Sequence, residues 1–227
     1  KIINAAGTYT ALTASIMPPP VQAAVARAAK HPVRLGELQT AAGEYLAKKL
    51  KCEAALVSAG AASGLTLGTA ACVMVANKCG IRDIPNEVPR LARNEVVIQK
   101  KHRYGYDQAI LCAGIHFVEV DTLADYEKAF NERTVMAHYY NAAEESPIGR
   151  EDWIRVAKAH GIPSFNDAAA DVPPIANLWN YTQMGFDLVT FSGGKGMRGP
   201  QNAGLLLGRK DLIAAAAQSN NPHDGVG

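Results

Sequence analysis

Phe191-Ser-Gly-Gly-Lys195-Gly-Met-Arg-Gly-Pro200 sets one lysine in a glycine-rich turn, directly after an apolar run that begins near Asp187. Glycines on both sides let a backbone approach a ligand closely. Two common phosphate-binding patterns are excluded. A P-loop needs glycine five residues before its Gly-Lys pair and Ser or Thr after it, but Val189 and Gly196 occupy those positions. A dinucleotide-binding G-x-G-x-x-G is also missing from the early part of the chain.

Upstream, Gly161-Ile-Pro-Ser-Phe-Asn-Asp167-Ala-Ala-Ala170 ends an apolar run on a single carboxylate. A lysine on a glycine-rich turn, preceded by an aspartate at a strand tip, supplies what pyridoxal phosphate chemistry needs. The amine meets the cofactor's aldehyde and the carboxylate pairs with its pyridinium nitrogen. The same residues also admit plainer readings, a solvent-facing loop lysine and an aspartate that caps a turn or helix.

Outward from these two stretches, strand-like runs recur at 53–58, 95–99, 115–120, 134–140, 162–166, 187–191 and 203–207. Helical stretches precede or separate most of them: 21–30 behind the start signal of Pro18-Pro-Pro20, 36–50, 123–130 and 150–160. This alternation predicts an α/β fold of three layers, a mostly parallel seven-stranded sheet with helices on both faces. The loop between the last two strands is too short for a crossover helix, so those two are expected to pair antiparallel. Ala59-Gly-Ala-Ala-Ser-Gly64 joins the first strand to a long alanine-rich helix reaching about Asn77. Free amides and the positive end of that helix make an anion site suited to phosphate.

Composition sets the outer bounds. The 227 residues are 48% hydrophobic and 19% charged, enough to bury a substantial core. A net charge of +2 implies neither nucleic acid nor an anionic membrane as partner. No apolar run reaches the length of a membrane span. Cys52, Cys72, Cys79 and Cys112 lack metal-ligand spacing and stand in apolar contexts, which predicts buried thiols, no metal and a cytoplasmic setting. The chain begins at Lys1 without methionine and ends in a polar, turn-like stretch, so a longer parent protein is expected.

Six segments carry a family resemblance: Ile3-Asn-Ala-Ala-Gly-Thr8, Glu44-Tyr-Leu-Ala47, Leu56 through Gly64, Lys101-His-Arg-Tyr-Gly105, Asp167-Ala-Ala169 and Ser192 through Gln201. Together they resemble the large domain of a fold-type I pyridoxal phosphate enzyme. Within that group the chain is most similar to the selenocysteine synthase-like branch, which includes the D-glucosaminate-6-phosphate ammonia-lyase type. The resemblance implies three parts: an N-terminal segment and helices over 1–50 at a dimer interface, a cofactor-binding large domain over 51–217, and a linker over 218–227 toward an absent small C-terminal domain. It also implies a homodimer or higher homo-oligomer, with Thr8, Tyr9 and Ser15 reaching toward the partner. Nothing corresponds to the tRNA-binding extension of selenocysteine synthases.

The resemblance implies roles as well. Lys195 would form the Schiff base with pyridoxal 5'-phosphate and move the Cα proton, and Asp167 would pair with the ring nitrogen. His102 would stack on one ring face, with an exposed histidine at a strand end as its alternative. Ala169 would lie on the other face, compatibly with a core alanine. Gly60, Ala61, Ala62 and Ser63 would hold the phosphate, with Ser192 adding a hydroxyl. Arg103, Arg198 and Gln201 would bind the substrate; each arginine suits an anionic group and equally a surface ion pair. Asn141, His138, Glu144 and Glu145 are further polar candidates. The expected reaction is that of a lyase on an amino acid or amino-sugar acid: Cα deprotonation and β-elimination, releasing ammonia and a keto acid. An aminotransferase, an aldolase or a selenium transferase-like enzyme is the alternative. A non-catalytic paralogue is the rival from another class, and the joint retention of Lys195, Asp167 and His102 speaks against it.

Overall fold

Runs of Val, Ile, Leu and Phe bounded by Gly, Pro, Asn or Asp become strands, and the periodic stretches between them become helices. The computed structural model describes residues 3–221, 223, 225 and 226. It opens with α1 (Pro19–Ala28), started by proline in its first turn, and α2 (Leu35–Leu50). Next come β1 (Ala54–Ser58), α3 (Ala61–Asn77), β2 (Glu95–Gln99), α4 (Asp107–Leu111) and β3 (His116–Val120). The chain continues through α5 (Leu123–Ala129), β4 (Thr134–Tyr140), α6 (Arg150–Ala159) and β5 (Ser164–Asp167). It finishes with α7 (Asn177–Met184), β6 (Leu188–Ser192), β7 (Gly204–Gly208) and α8 (Lys210–Ser219).

All seven strands form one sheet in the order β1-β7-β6-β5-β4-β2-β3. Strands β3, β2, β4, β5 and β6 pair in parallel, and the hairpin of β6 and β7 is antiparallel as the short loop predicts. Strand β7 also pairs antiparallel with β1, Ala54 opposite Gly208 and Ser58 opposite Gly204. Two reversals bring β1 back into the direction of β6. The carboxyl ends of β1, β2, β4, β5 and β6 therefore share one rim, where open α/β sheets place their ligands.

Helices cover both faces. On one, α3 crosses the sheet with Leu65, Leu67, Ala70, Ala71 and Val73 at most 1% exposed, and α4 and α8 complete the layer. A helix this apolar on all sides has to be buried. On the other, Trp153 of α6, Tyr126 of α5 and Leu178 and Tyr181 of α7 pack with Leu50 of α2. The expectation of buried thiols is corrected at one position: Cys72 is buried, Cys52 and Cys79 are half-buried, and Cys112 at the end of α4 is exposed. Of the segments expected at the ends, residues 1, 2, 222, 224 and 227 lie outside the described residues. Among the described residues no helix is long and apolar enough to cross a membrane, and no cluster of His, Cys, Asp and Glu could hold a metal ion.

Candidate active site

The rim carries a cavity of about 180 Å³ lined by Thr10, Ala14, Gly60, Ala61, Ala62, Leu65, Tyr106, Asp167, Ala169, Ser192, Lys195 and Gln201, among others. The strands β1, β5 and β6 thus deliver, side by side, the glycine turn, the aspartate and the lysine loop that the sequence singles out.

At the β1 end, Gly60 stands ahead of α3 at φ +104° with nothing within 4 Å of where a Cβ would sit. That conformation is open to glycine and strained for other residues. Gly60→Ala is therefore expected to destabilise the fold by about 1–3 kcal/mol through torsion alone; urea unfolding without added ligand measures it. The turn leads into a helix whose first turn holds no acidic side chain. The first amides of a helix have no carbonyl ahead of them, and here only Gly64 N–H reaches back, to the Gly60 carbonyl. An anion is favoured at such an end.

At the β5 tip, Asp167 is 3% exposed. Its Oδ1 accepts from Ala169 N–H at 3.0 Å, and its Oδ2 accepts from the Tyr104 hydroxyl. Burial pushes the carboxyl up from its ordinary range; the Tyr104 hydroxyl, the Ala169 amide and the Lys195 charge oppose that rise. After β6, the lysine turn folds tightly against its own return: a Cβ on Gly194 would lie 2.4 Å from Gln201 Cα. Three hydrogen bonds clasp this turn to the N-terminal arm. Ser15 Oγ donates to the Gly194 carbonyl at 2.8 Å, Arg198 Nε to the Ile16 carbonyl at 3.2 Å and Gln201 Nε2 to the Thr10 carbonyl at 3.0 Å.

Four sequence-predicted residues are placed elsewhere. His102 ends a short 3-10 turn over Lys100–His102 and is fully buried. Its Nδ1 accepts from Tyr140 N–H, so Nε2 carries the proton and donates to Ser146 Oγ at 2.9 Å. Burial, aided by Arg150, lowers its pKa to about 4. With no exposed surface, this ring has no face for a cofactor, which corrects both sequence readings of His102. Arg103 pairs with Asp107 at 2.5 Å and with Glu119 while lying over Phe117, so it fastens a turn. Arg198 is exposed on the lysine turn and Ser63 stands just off the cavity, its buried hydroxyl without a partner. Ser15, expected to reach a partner subunit, bonds within this chain.

Residues not assigned from sequence take their place. Tyr106, half-exposed, is the aromatic side chain that lines the cavity. Tyr104 touches Asp167 from below, stacked on Tyr140 at 3.8 Å. Both stand past the 3-10 turn that follows β2, where the strand's period no longer applies. Thr10 and Ala14 come from the arm, and no local pattern could have announced them.

The sequence profile of the SelA family, L-seryl-tRNA selenium transferase, matches residues 2–222. The chain belongs to that family. Its members here are pyridoxal-phosphate-dependent enzymes, and so is the branch in which the chain falls. A D-glucosaminate-6-phosphate ammonia lyase of Salmonella typhimurium (strain 14028s / SGSC 2262) is 29% identical over 238 aligned positions, covering 100% of this chain and 62% of that protein. A 5'-C-glycyluridine monooxygenase-decarboxylase of a Streptomyces species is 29% identical, covering 94% of this chain and 55% of that one. A solved structure of D-glucosaminate-6-phosphate ammonia-lyase superposes with a TM-score of 0.89 at 30% identity, over 100% of this chain and 62% of its own. The chain thus spans about six-tenths of the length of the relatives it matches.

The residues present fit the cofactor. One cavity combines an amine, a buried carboxylate and a helix end free of acidic groups. Those are the three contacts that an aldehyde, a pyridinium nitrogen and a phosphate require.

Proposed function

We propose that this chain is the cofactor-binding part of a pyridoxal-phosphate-dependent lyase that removes ammonia from an amino acid or amino-sugar acid. The observation that carries the reading is the shared cavity of Lys195, Asp167 and the α3 N-terminus. Lys195 bonds the cofactor through its amine. Asp167 pairs with the ring nitrogen, and Ala169 leaves room against the ring face. The amides of Ala61, Ala62 and Ser63, with the Ser192 hydroxyl, hold the phosphate; Gly60 shapes the turn. Arg198, exposed on the lysine turn and outside the cavity lining, is a cationic side chain suited to an anionic substrate group, and Gln201 lines the cavity. When bound, the cofactor supplies a sink for the electron pair left at Cα.

The Lys195 amine would take the substrate's Cα proton and later return a proton. A β-hydroxyl leaves as water, and water re-enters when the carbon–nitrogen bond is hydrolysed. The net products are one keto acid and one ammonia. The match of this whole chain to 62% of an ammonia lyase favours this outcome over transamination or aldol cleavage. A small amino substrate, with neither nucleic acid nor membrane as partner, accompanies it.

A homo-oligomer accompanies it too. Ile3, Tyr9, Ile16, Val33 and Tyr45 are all more than 60% exposed, and α1 buries no residue. Such an unpartnered apolar surface over the first 50 residues suits a second copy. The large domain would span 51–217, with 218–227 leading to further chain in the parent protein, and the setting would be cytoplasmic.

The test is product analysis on the full-length protein with amino-sugar acids. Ammonia and keto acid are expected in equal amounts without any acceptor. Strict dependence on a keto-acid acceptor would mean a transaminase, and a released aldehyde an aldolase. A protein that stays colourless with added pyridoxal phosphate would favour the non-catalytic reading.

A further inference from the structure

Tyr104 has no part in the roles assigned above, yet the fold invests heavily in its position. Arg103 and Asp107, four residues apart across the loop that leads into α4, pair at 2.5 Å, and Asp107 Oδ1 also accepts from Tyr104 N–H at 3.4 Å. The turn after β2 is pinned by these contacts. The Tyr104 ring lies in a slot along β4, stacked on Tyr140 at 3.8 Å and 18°, with the His138 ring of the same strand nearly parallel to it at 6.5 Å and 10°. From that slot the hydroxyl donates to Asp167 Oδ2.

The slot itself cannot compete for the carboxylate. His138 is fully buried, neither ring nitrogen has a partner, and burial together with neighbouring His102 lowers its pKa to about 3. It is neutral at working pH, a flat wall and not a charge. The groups facing Asp167 are then Tyr104 and Tyr140 from the β2 and β4 side, Lys195 from the turn after β6, and Asp171 beyond β5. Among the described residues only Tyr104 donates a side-chain hydrogen bond to the carboxylate; its other donor is the Ala169 amide.

We propose that Tyr104 is a positioning residue for Asp167, fixing the carboxylate against the floor of the cavity and holding it in the charged form. Each carboxylate oxygen offers two acceptor sites, so Oδ2 can take the phenol and a second donor from the cavity. Hydrogen bonds to the ionised form favour it, opposing the desolvation that burial imposes. The consequence for a pyridinium partner rests on the cofactor assignment above; the coupling between Tyr104 and Asp167 does not.

The test uses the full-length protein as wild type, Tyr104→Phe, Asp167→Asn and the double variant. Phenylalanine keeps the stack on Tyr140 and removes only the donor. Stability is first measured without cofactor from about pH 5 to about pH 8.5. Losing a hydrogen bond to a charged acceptor costs more than losing one to a neutral acceptor. The Tyr104→Phe penalty should therefore grow with pH, and should become flat with pH in the Asp167→Asn background. Absorbance titration with pyridoxal phosphate is the second readout. Tyr104→Phe should bind about tenfold more weakly at the acid end of that range, with the deficit shrinking as pH rises and Asp167 ionises without the phenol. A penalty equal at every pH, or one unchanged when Asp167 is Asn, would overturn the proposal and leave Tyr104 as packing. A wild type that takes up no pyridoxal phosphate would end the cofactor assignment, while the first readout still decides the coupling.

Discussion

Lys195→Ala is expected to fold, to remain colourless with pyridoxal phosphate, and to lose at least about a thousandfold in kcat/KM, since both the bond to the cofactor and the base at Cα disappear together. The side chain is half-buried on a surface turn, so its truncation leaves the core untouched. Wild-type protein should show a yellow band that borohydride abolishes, and the variant should show none before or after. A variant as yellow and as reducible as wild type would place the covalent bond on another lysine.

Asp167→Asn is expected to lower kcat/KM by about a hundredfold while making the cofactor-free protein no less stable at neutral pH. The two effects have one cause. Burial raises the Asp167 carboxyl above its usual range, so the folded protein holds that proton more tightly than the unfolded chain. Such a group supports folding at low pH, and its contribution fades as pH rises through its folded pKa. Asparagine carries no charge at any pH. Relative to the variant, wild type should lose stability as pH rises from about 4 through the raised folded pKa, and parallel urea titrations of the two proteins would measure it. Parallel curves with no divergence would mean that the carboxylate is better solvated than its 3% exposure indicates. Stability would here be traded for a charge at the floor of the site.

What could be read from residue order alone follows the range of the forces involved. The seven strands and the helices α1, α2, α3, α5 and α6 were legible because burial imposes a local period, and most of their boundaries differ from expectation by only one or two residues, whereas α4, α7 and α8 were not marked out. The β1–β7 pairing was not, because strands joined so late leave no local trace. Lys195, Asp167 and Gly60 stand out through their immediate neighbours, a glycine turn or an apolar run ending in charge. The stretch from His102 to Tyr106 misleads for a specific reason. The chain does not simply stop after β2; a 3-10 turn rotates it, burying His102 and turning Tyr104 and Tyr106 toward the rim. Arg103 could have been read correctly, because the carboxylate of Asp107 follows four residues on and takes it out of contention.

The clasp between residues 10–16 and the lysine turn has an evolutionary side. Apart from Ala14 that arm buries no side chain, and its bonds to the turn end on backbone carbonyls at Thr10, Ile16 and Gly194. Apart from Ser15, whose hydroxyl makes one of the three bonds, side chains along it can therefore change without disturbing the core or the clasp, and Thr10 and Ala14 form part of the cavity wall. Selection acting on this short strip can redraw which molecules are admitted while the lysine, the aspartate and the helix end stay as they are. A scaffold arranged in this way keeps its chemistry in the sheet and its diversification in the arm.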